Sequence, residues 1–161
     1  MKTRSILIGM TIATIAAGVI ATSLAFASPS VEDQIKARQS AYTFMSWNMN
    51  RIRAQVIDED VPFNAAQVQG WANAIAATAN SNMSLMFGPD TVQGTGWKPT
   101  RLRPEFFQDM ARTGEIATNF VQQANALAEA AETGDPAVIA AQFRQTADSC
   151  GACHRPFRAP E

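Results

Sequence analysis

Apolar positions in this chain recur at steps of three and four, and no run alternates apolar with polar residues for long, so the pattern predicts helix throughout. The first stripe runs Ile35, Arg38, Tyr42, Met45, Met49, Ile52 and Val56, with one charged residue inside it. Ser30 is placed to cap that helix, Glu32 and Asp33 suit its first turn, and the acidic turn Asp58-Glu59-Asp60 ends it. Asn64 with Gln67 resembles a capping box for a second helix carrying Val68, Ala72, Ile75, Ala79, Met83 and Met86, stopped by Gly88-Pro89-Asp90. A connection rich in Gly, Pro and Thr runs to about Leu102. Pro104 then stands as a first helical residue for a third stripe of Phe106, Met110, Thr113, Ala117, Phe120, Ala124, Leu127 and Ala131, with Gly134 as its C-cap. Asp135-Pro136 opens the fourth, whose stripe is Ile139, Phe143, Thr146, Cys150, Cys153 and Phe157.

Four helices with one apolar seam each must bury those seams against one another, and an all-α antiparallel four-helix bundle is the simplest solution. Ahead of them, Lys2 and Arg4 precede an uncharged stretch from Ser5 to Ala27 that ends in the small-x-small sequence Ala25-Phe26-Ala27. Residues 1–27 therefore read as a cleaved signal peptide and residues 28–161 as one domain. The alternative is an uncleaved membrane anchor, against which the Ala, Gly, Thr and Ser content and the cleavage site both argue. Without Lys2 and Arg4, 11 basic residues face 14 acidic ones, a net charge of −3, which argues against a nucleic-acid partner.

The stripe of the fourth helix carries the chemistry. Both cysteines of the chain and its one histidine fall in five consecutive residues, Cys150-Gly151-Ala152-Cys153-His154. This is the C-x-x-C-H pattern of covalent c-type haem attachment. Two thiols one helical turn apart can add to the two vinyl groups, and the imidazole at the next position can reach the iron. A thioredoxin-like dithiol would leave His154 unexplained, a zinc site would need ligands the chain does not have, and a simple disulfide again ignores the histidine. The cysteines lie on the inward stripe, so the macrocycle would supply part of the bundle's core, and the bundle would pack poorly without it. Haem attachment of this kind takes place outside the cytoplasm, in agreement with the signal peptide and with a periplasmic location.

A signal peptide, four amphipathic helices and a C-x-x-C-H motif near the C-terminus together resemble the cytochrome c' family of class II c-type cytochromes. Lys36-Ala37-Arg38-Gln39-Ser40-Ala41-Tyr42 is similar to that family's first-helix motif, and Arg103-Pro104-Glu105-Phe106 to the start of its third helix. The resemblance implies one covalent haem c, a five-coordinate high-spin iron with His154 as its single axial ligand, and an opposite face blocked by Tyr42. It implies binding of small gases such as nitric oxide and carbon monoxide, or transfer of single electrons to an unidentified redox partner. It also implies a basic residue, Arg158, beside the proximal imidazole, and a homodimer through the first two helices, which the stripes themselves do not require.

Several residues can be weighed on their own chemistry. Arg38 interrupts an apolar seam one turn before Tyr42, which implies a negative partner, and a haem propionate fits; a guanidinium reaching out of the bundle end is the alternative. Gln39 is a candidate for the same side, as are Arg101 and Arg103. Tyr42 could also donate a hydrogen bond to a bound ligand. With His154 used, Met45 and Met49 are the strong candidates for a sixth ligand, and either would make a low-spin electron carrier, the second reading of the chain. Pro156 should clash with the turn containing Ala152, so the last helix is expected to kink or end near Arg155, leaving Arg158 unplaced. An enzymatic role is disfavoured because no distal histidine is present to handle protons.

Overall fold

The computed structural model describes residues 28–160, so the expected signal peptide, residues 1–27, lies outside them. Four α-helices make the bundle: α1 (Val31–Val56), α2 (Ala65–Ala79), α3 (Met110–Glu132) and α4 (Pro136–Phe157). Each is packed against the next in sequence, and α4 closes the square against α1. The core is the set of expected stripes, with Ile52, Ile75, Val68, Leu127 and Ile139 fully buried.

The helix starts follow the side chains that cap them. Ser30 Oγ accepts from the Asp33 amide at 3.1 Å, and Asp135 Oδ1 from the Ala137 amide at 2.8 Å. Gly134 leaves α3 at φ +65°, a conformation a side chain would resist. Asn64 Oδ1 accepts from the Gln67 amide at 3.0 Å, which is half of a capping box. The other half differs from expectation, because Gln55 reaches over from α1. Its Oε1 accepts from the Asn64 amide at 2.8 Å, and its Nε2 donates to Gln67 Oε1 at 3.0 Å.

Two boundaries also depart from the sequence pattern. The second stripe continues through Met83 and Met86, but α2 stops at Ala79. Ser81 Oγ donates to the Thr78 carbonyl at 2.6 Å, so a side chain takes a carbonyl that a further turn would use, and Asn80 Nδ2 adds a bond to the Ala76 carbonyl at 2.7 Å. Met83–Met86 forms a separate 3₁₀ turn that still buries Met83. Pro104 opens a 3₁₀ turn, Pro104–Phe107, in place of α3, which starts six residues later at Met110 with Asp109 as its N-cap. Phe106 stays buried as its stripe requires, whereas Met110 is 59% exposed and off the seam.

Pro156 does not end α4. The helix runs on to Phe157 and the Arg158 amide bonds to the His154 carbonyl at 3.1 Å. Lying in the final turn, the proline removes one helical bond and has little helix after it to bend. The end is held instead by a short antiparallel pairing: Arg103 N donates to Phe157 O at 2.9 Å and Ala159 N to Arg101 O at 2.8 Å. The attachment motif is thereby tied to the segment before α3.

Candidate functional site

Cys150 and Cys153 are half-buried, one turn apart on α4, and form no disulfide with each other. Burial pushes both thiols up, that of Cys150 against a hydrogen bond from Ser149 and that of Cys153 further through Cys150. A redox dithiol needs a lowered pKa, so the surroundings do not suit thiol exchange. His154, next on the helix, is held below its ordinary value by partial desolvation, then by the positive charges of Arg158 and Arg101. Its imidazole is therefore neutral at pH 7, the form that binds a metal. Among the described residues no cluster of three or more His, Cys, Asp and Glu offers a further metal site.

Tyr42, on α1, lies near enough to these cysteines to interact with them electrostatically. Desolvation raises its phenol strongly, with Cys153 and Cys150 adding to the rise and Arg38 opposing it. Of the four seams of the bundle, α1 against α4 is the least closely packed, and it is the one with Tyr42 on one wall and the thiols on the other. Rings gather at this end: Tyr42 meets Phe87 edge-on at 6.4 Å, Phe87 stacks on Phe106 at 4.9 Å, and Phe106 meets Phe157 edge-on at 5.5 Å. Two thiols at thioether spacing, a neutral imidazole beside them and an aromatic opposite wall fit a flat apolar macrocycle.

Arg158 comes where the continuing helix carries it, with Nη1 3.4 Å from His154 Nδ1. Arg38 is buried, and its partners within the protein are all neutral oxygens. Nη1 donates to Met86 O at 2.9 Å and Thr91 Oγ1 at 2.8 Å, and Nη2 to Thr91 O at 3.2 Å and Thr100 Oγ1 at 2.9 Å. Neutral oxygens thus satisfy the guanidinium without a carboxylate. Gln39 is used similarly, its Nε2 donating to Lys98 O at 2.8 Å and its Oε1 accepting from the Trp97 amide at 2.8 Å. Arg103 is exposed and pairs with Glu105 at 3.3 Å, and Arg101 donates to Ala159 O at 2.8 Å. Met45 is buried in the bundle core and Met49 packs against that core.

The sequence profile of the cytochrome c' family matches residues 33–158, nearly all of the described chain. The chain belongs to the cytochrome c' family. The cytochrome c' of Allochromatium vinosum is 45% identical over 152 residues, covering 92% of this chain and 97% of the relative. A solved cytochrome c' described by an unusual ligand-controlled dimer dissociation shares 45% identity and a TM-score of 0.78, covering 83% of this chain and all 100% of its own. A nitric oxide complex of a variant of the Alcaligenes xylosoxidans cytochrome c' shares 30% identity and a TM-score of 0.72, covering 82% and 98%. This cytochrome c' accordingly carries covalently attached haem c, and its two cysteines fit the C-x-x-C-H motif.

Two open clefts among the described residues lie elsewhere. One of about 650 Å³ is lined by Arg51, Gln55, Phe63 and Trp71, and another of about 820 Å³ by Val56, Glu59, Pro136 and Arg144. Both flank the turn after α1, at the opposite end of the bundle from the thiols. Three residues of the thiol end were not singled out from sequence: Phe87, Thr91 and Thr100. The signal for the two threonines was Arg38 itself, since a buried guanidinium demands several acceptors and the Thr-containing connection is the segment able to supply them. Phe87 had no such signal.

Proposed function

We propose that this cytochrome c' is a periplasmic gas-binding haem protein that also passes single electrons, with residues 1–27 removed as a signal peptide. Cys150 and Cys153 form the thioether bonds and His154 is the single axial ligand. When bound, the haem supplies an iron that takes up nitric oxide or carbon monoxide and exchanges one electron. The chain's own residues decide what reaches it. The observation that carries this reading is the position of Tyr42, which lies near the thiols of α4 across the loosest seam. A phenol is a poor ligand for ferrous iron but a good shield, so the sixth position is covered without being filled. Met45, the nearer methionine in sequence, is committed to the core instead.

Arg158 sits against the imidazole and orients it. Arg38 lacks a carboxylate partner among the described residues, so its charge, with Gln39 beside it and Arg103 at the rim, favours the propionate side of the haem. The solved relative with ligand-controlled dimer dissociation supports a homodimer here. The outer face of α1, where Phe44 is 51% and Trp47 57% exposed, suits such a contact. Among the described residues no helix is long and apolar enough to cross a membrane.

The deciding measurement is the absorption spectrum of the reduced protein with and without carbon monoxide. A high-spin spectrum that shifts on adding the gas supports the proposal. A sharp low-spin spectrum indifferent to the gas would overturn it in favour of methionine ligation.

A further inference from the structure

The Tyr42 ring, near enough to the α4 thiols to interact with them electrostatically, packs edge-on with Phe87 at a centroid distance of 6.4 Å. Phe87 lies outside any α-helix, directly after the 3₁₀ turn Met83–Met86, where an aromatic ring would ordinarily be free to shift. It is instead held at every point the structure offers. Its ring stacks on Phe106 with centroids 4.9 Å apart and planes 13° from parallel. The Arg38 guanidinium lies over the ring, 4.9 Å from its centroid. The backbone is pinned on both sides from α1: the preceding carbonyl, Met86 O, accepts from Arg38 Nη1 at 2.9 Å, and the following amide, Gly88 N, donates to Gln34 Oε1 at 2.9 Å. The segment is seated so closely that a Cβ at Gly88 would stand 2.6 Å from Gln34 Oε1.

We infer that Phe87 is a fixed buttress for Tyr42, a positioning residue that limits how far the tyrosine ring can withdraw and thereby sets the rate at which a small gas reaches the iron. The inference rests on the reading of Tyr42 as the residue covering that iron. A gas can bind only if the phenol ring gives up the space facing the thiols, and a ring displaced from there meets the edge of Phe87. Because Phe87 is clamped by a stacked ring, a cation and two backbone bonds, it does not yield. Access is therefore governed by an aromatic contact from the connection after α2, far in sequence from the haem motif's own helix.

The test uses the holoprotein and the fact that Tyr42 is the chain's one tyrosine, so 3-fluorotyrosine labels it alone. Carbon monoxide association with the ferrous protein is measured by stopped flow, and the ¹⁹F resonance of the unliganded ferrous protein is recorded beside it. Phe87→Ala removes the buttress and should raise the association rate about three- to tenfold, the scale of one lost aromatic contact. The ¹⁹F line should move and narrow as the ring gains freedom. Phe87→Leu, which keeps most of the volume and protects against a folding failure in the alanine variant, should raise the rate about twofold. Tyr42→Ala should raise it more than either. Rates and ¹⁹F lines unchanged in both Phe87 variants, with Tyr42→Ala accelerating, would overturn the buttress and leave the role of Tyr42 standing. An unchanged rate in Tyr42→Ala would remove the covering role itself, and the buttress with it.

Discussion

A guanidinium inside an apolar seam must be explained by its partners, and Arg38 finds them in the connection between α2 and α3. Four donors meet two carbonyl oxygens and two hydroxyls, so burial lowers its pKa without a carboxylate to oppose the shift. Replacing Arg38 with Ala would leave Thr91 O and Met86 O without these donors and should cost about 3 kcal/mol, read from denaturant unfolding of the holoprotein. Arg38→Lys cannot span the same four acceptors and should recover less than half of that. The midpoint potential of the haem should shift in Arg38→Ala and less in Arg38→Lys, which keeps the charge, if that charge acts on a propionate, and a potential unchanged in Arg38→Ala would count against that role. At this scale the sequence was informative about which residues matter and less so about whom they meet. Cys150, Cys153 and His154 were legible because their C-x-x-C-H spacing carries its own chemistry, and Tyr42 through the resemblance of the first-helix motif. The acceptors of Arg38 were not, because Thr91 and Thr100 lie in a segment with no period to place them.

Helix existence followed from periodicity, while helix ends were decided by local competition for backbone groups. The second stripe looks continuous to Met86, yet Asn80 and Ser81 cap the carbonyls of α2 first. Pro104 has the right chemistry for a first helical residue, and the chain uses it for a 3₁₀ turn that lets Thr113 Oγ1 bond to both Phe106 O and Asp109 O, each at 2.9 Å. Neither outcome is visible in a pattern of apolar positions, which such turns can preserve. Gln55 is the clearest case of a cap supplied from another element. Gln55→Leu keeps the burial but leaves the Asn64 amide without its acceptor, and should lower stability by about 1 to 2 kcal/mol in denaturant unfolding. Pro156 offers the opposite change. Pro156→Ala restores the helical donor to Ala152 in the last turn, and should raise stability by about 1 kcal/mol without altering the haem spectrum. A loss of stability would mean that the rigidity of the proline, with the pairing of residues 101–103 to 157–159, holds the motif in place.

As a whole, the bundle packs most closely along three seams and least closely between α1 and α4. If the proposed haem fills the α1–α4 seam, Cys150→Ser with Cys153→Ser should yield a chain with helical far-ultraviolet dichroism but a broad, low thermal transition. The same helix that lines that seam with Tyr42 shows Phe44 and Trp47 on its outer face, with Arg51 4.8 Å above the indole. In the proposed reading, the haem side and the contact between two copies lie on opposite faces of α1, within about one and a half turns of each other along it. A displacement of Tyr42 that shifts the helix must move the outer face with it, which is a physical route by which a ligand can weaken a dimer. Trp47→Glu places a charge in that contact while leaving the inner face untouched. In sedimentation velocity it should give a monomer at concentrations where the parent chain is dimeric, and its carbon monoxide spectrum should be unchanged. If the parent is dimeric and Trp47→Glu stays so, the outer face of α1 is not the contact, and any coupling between gas and assembly must run through another surface.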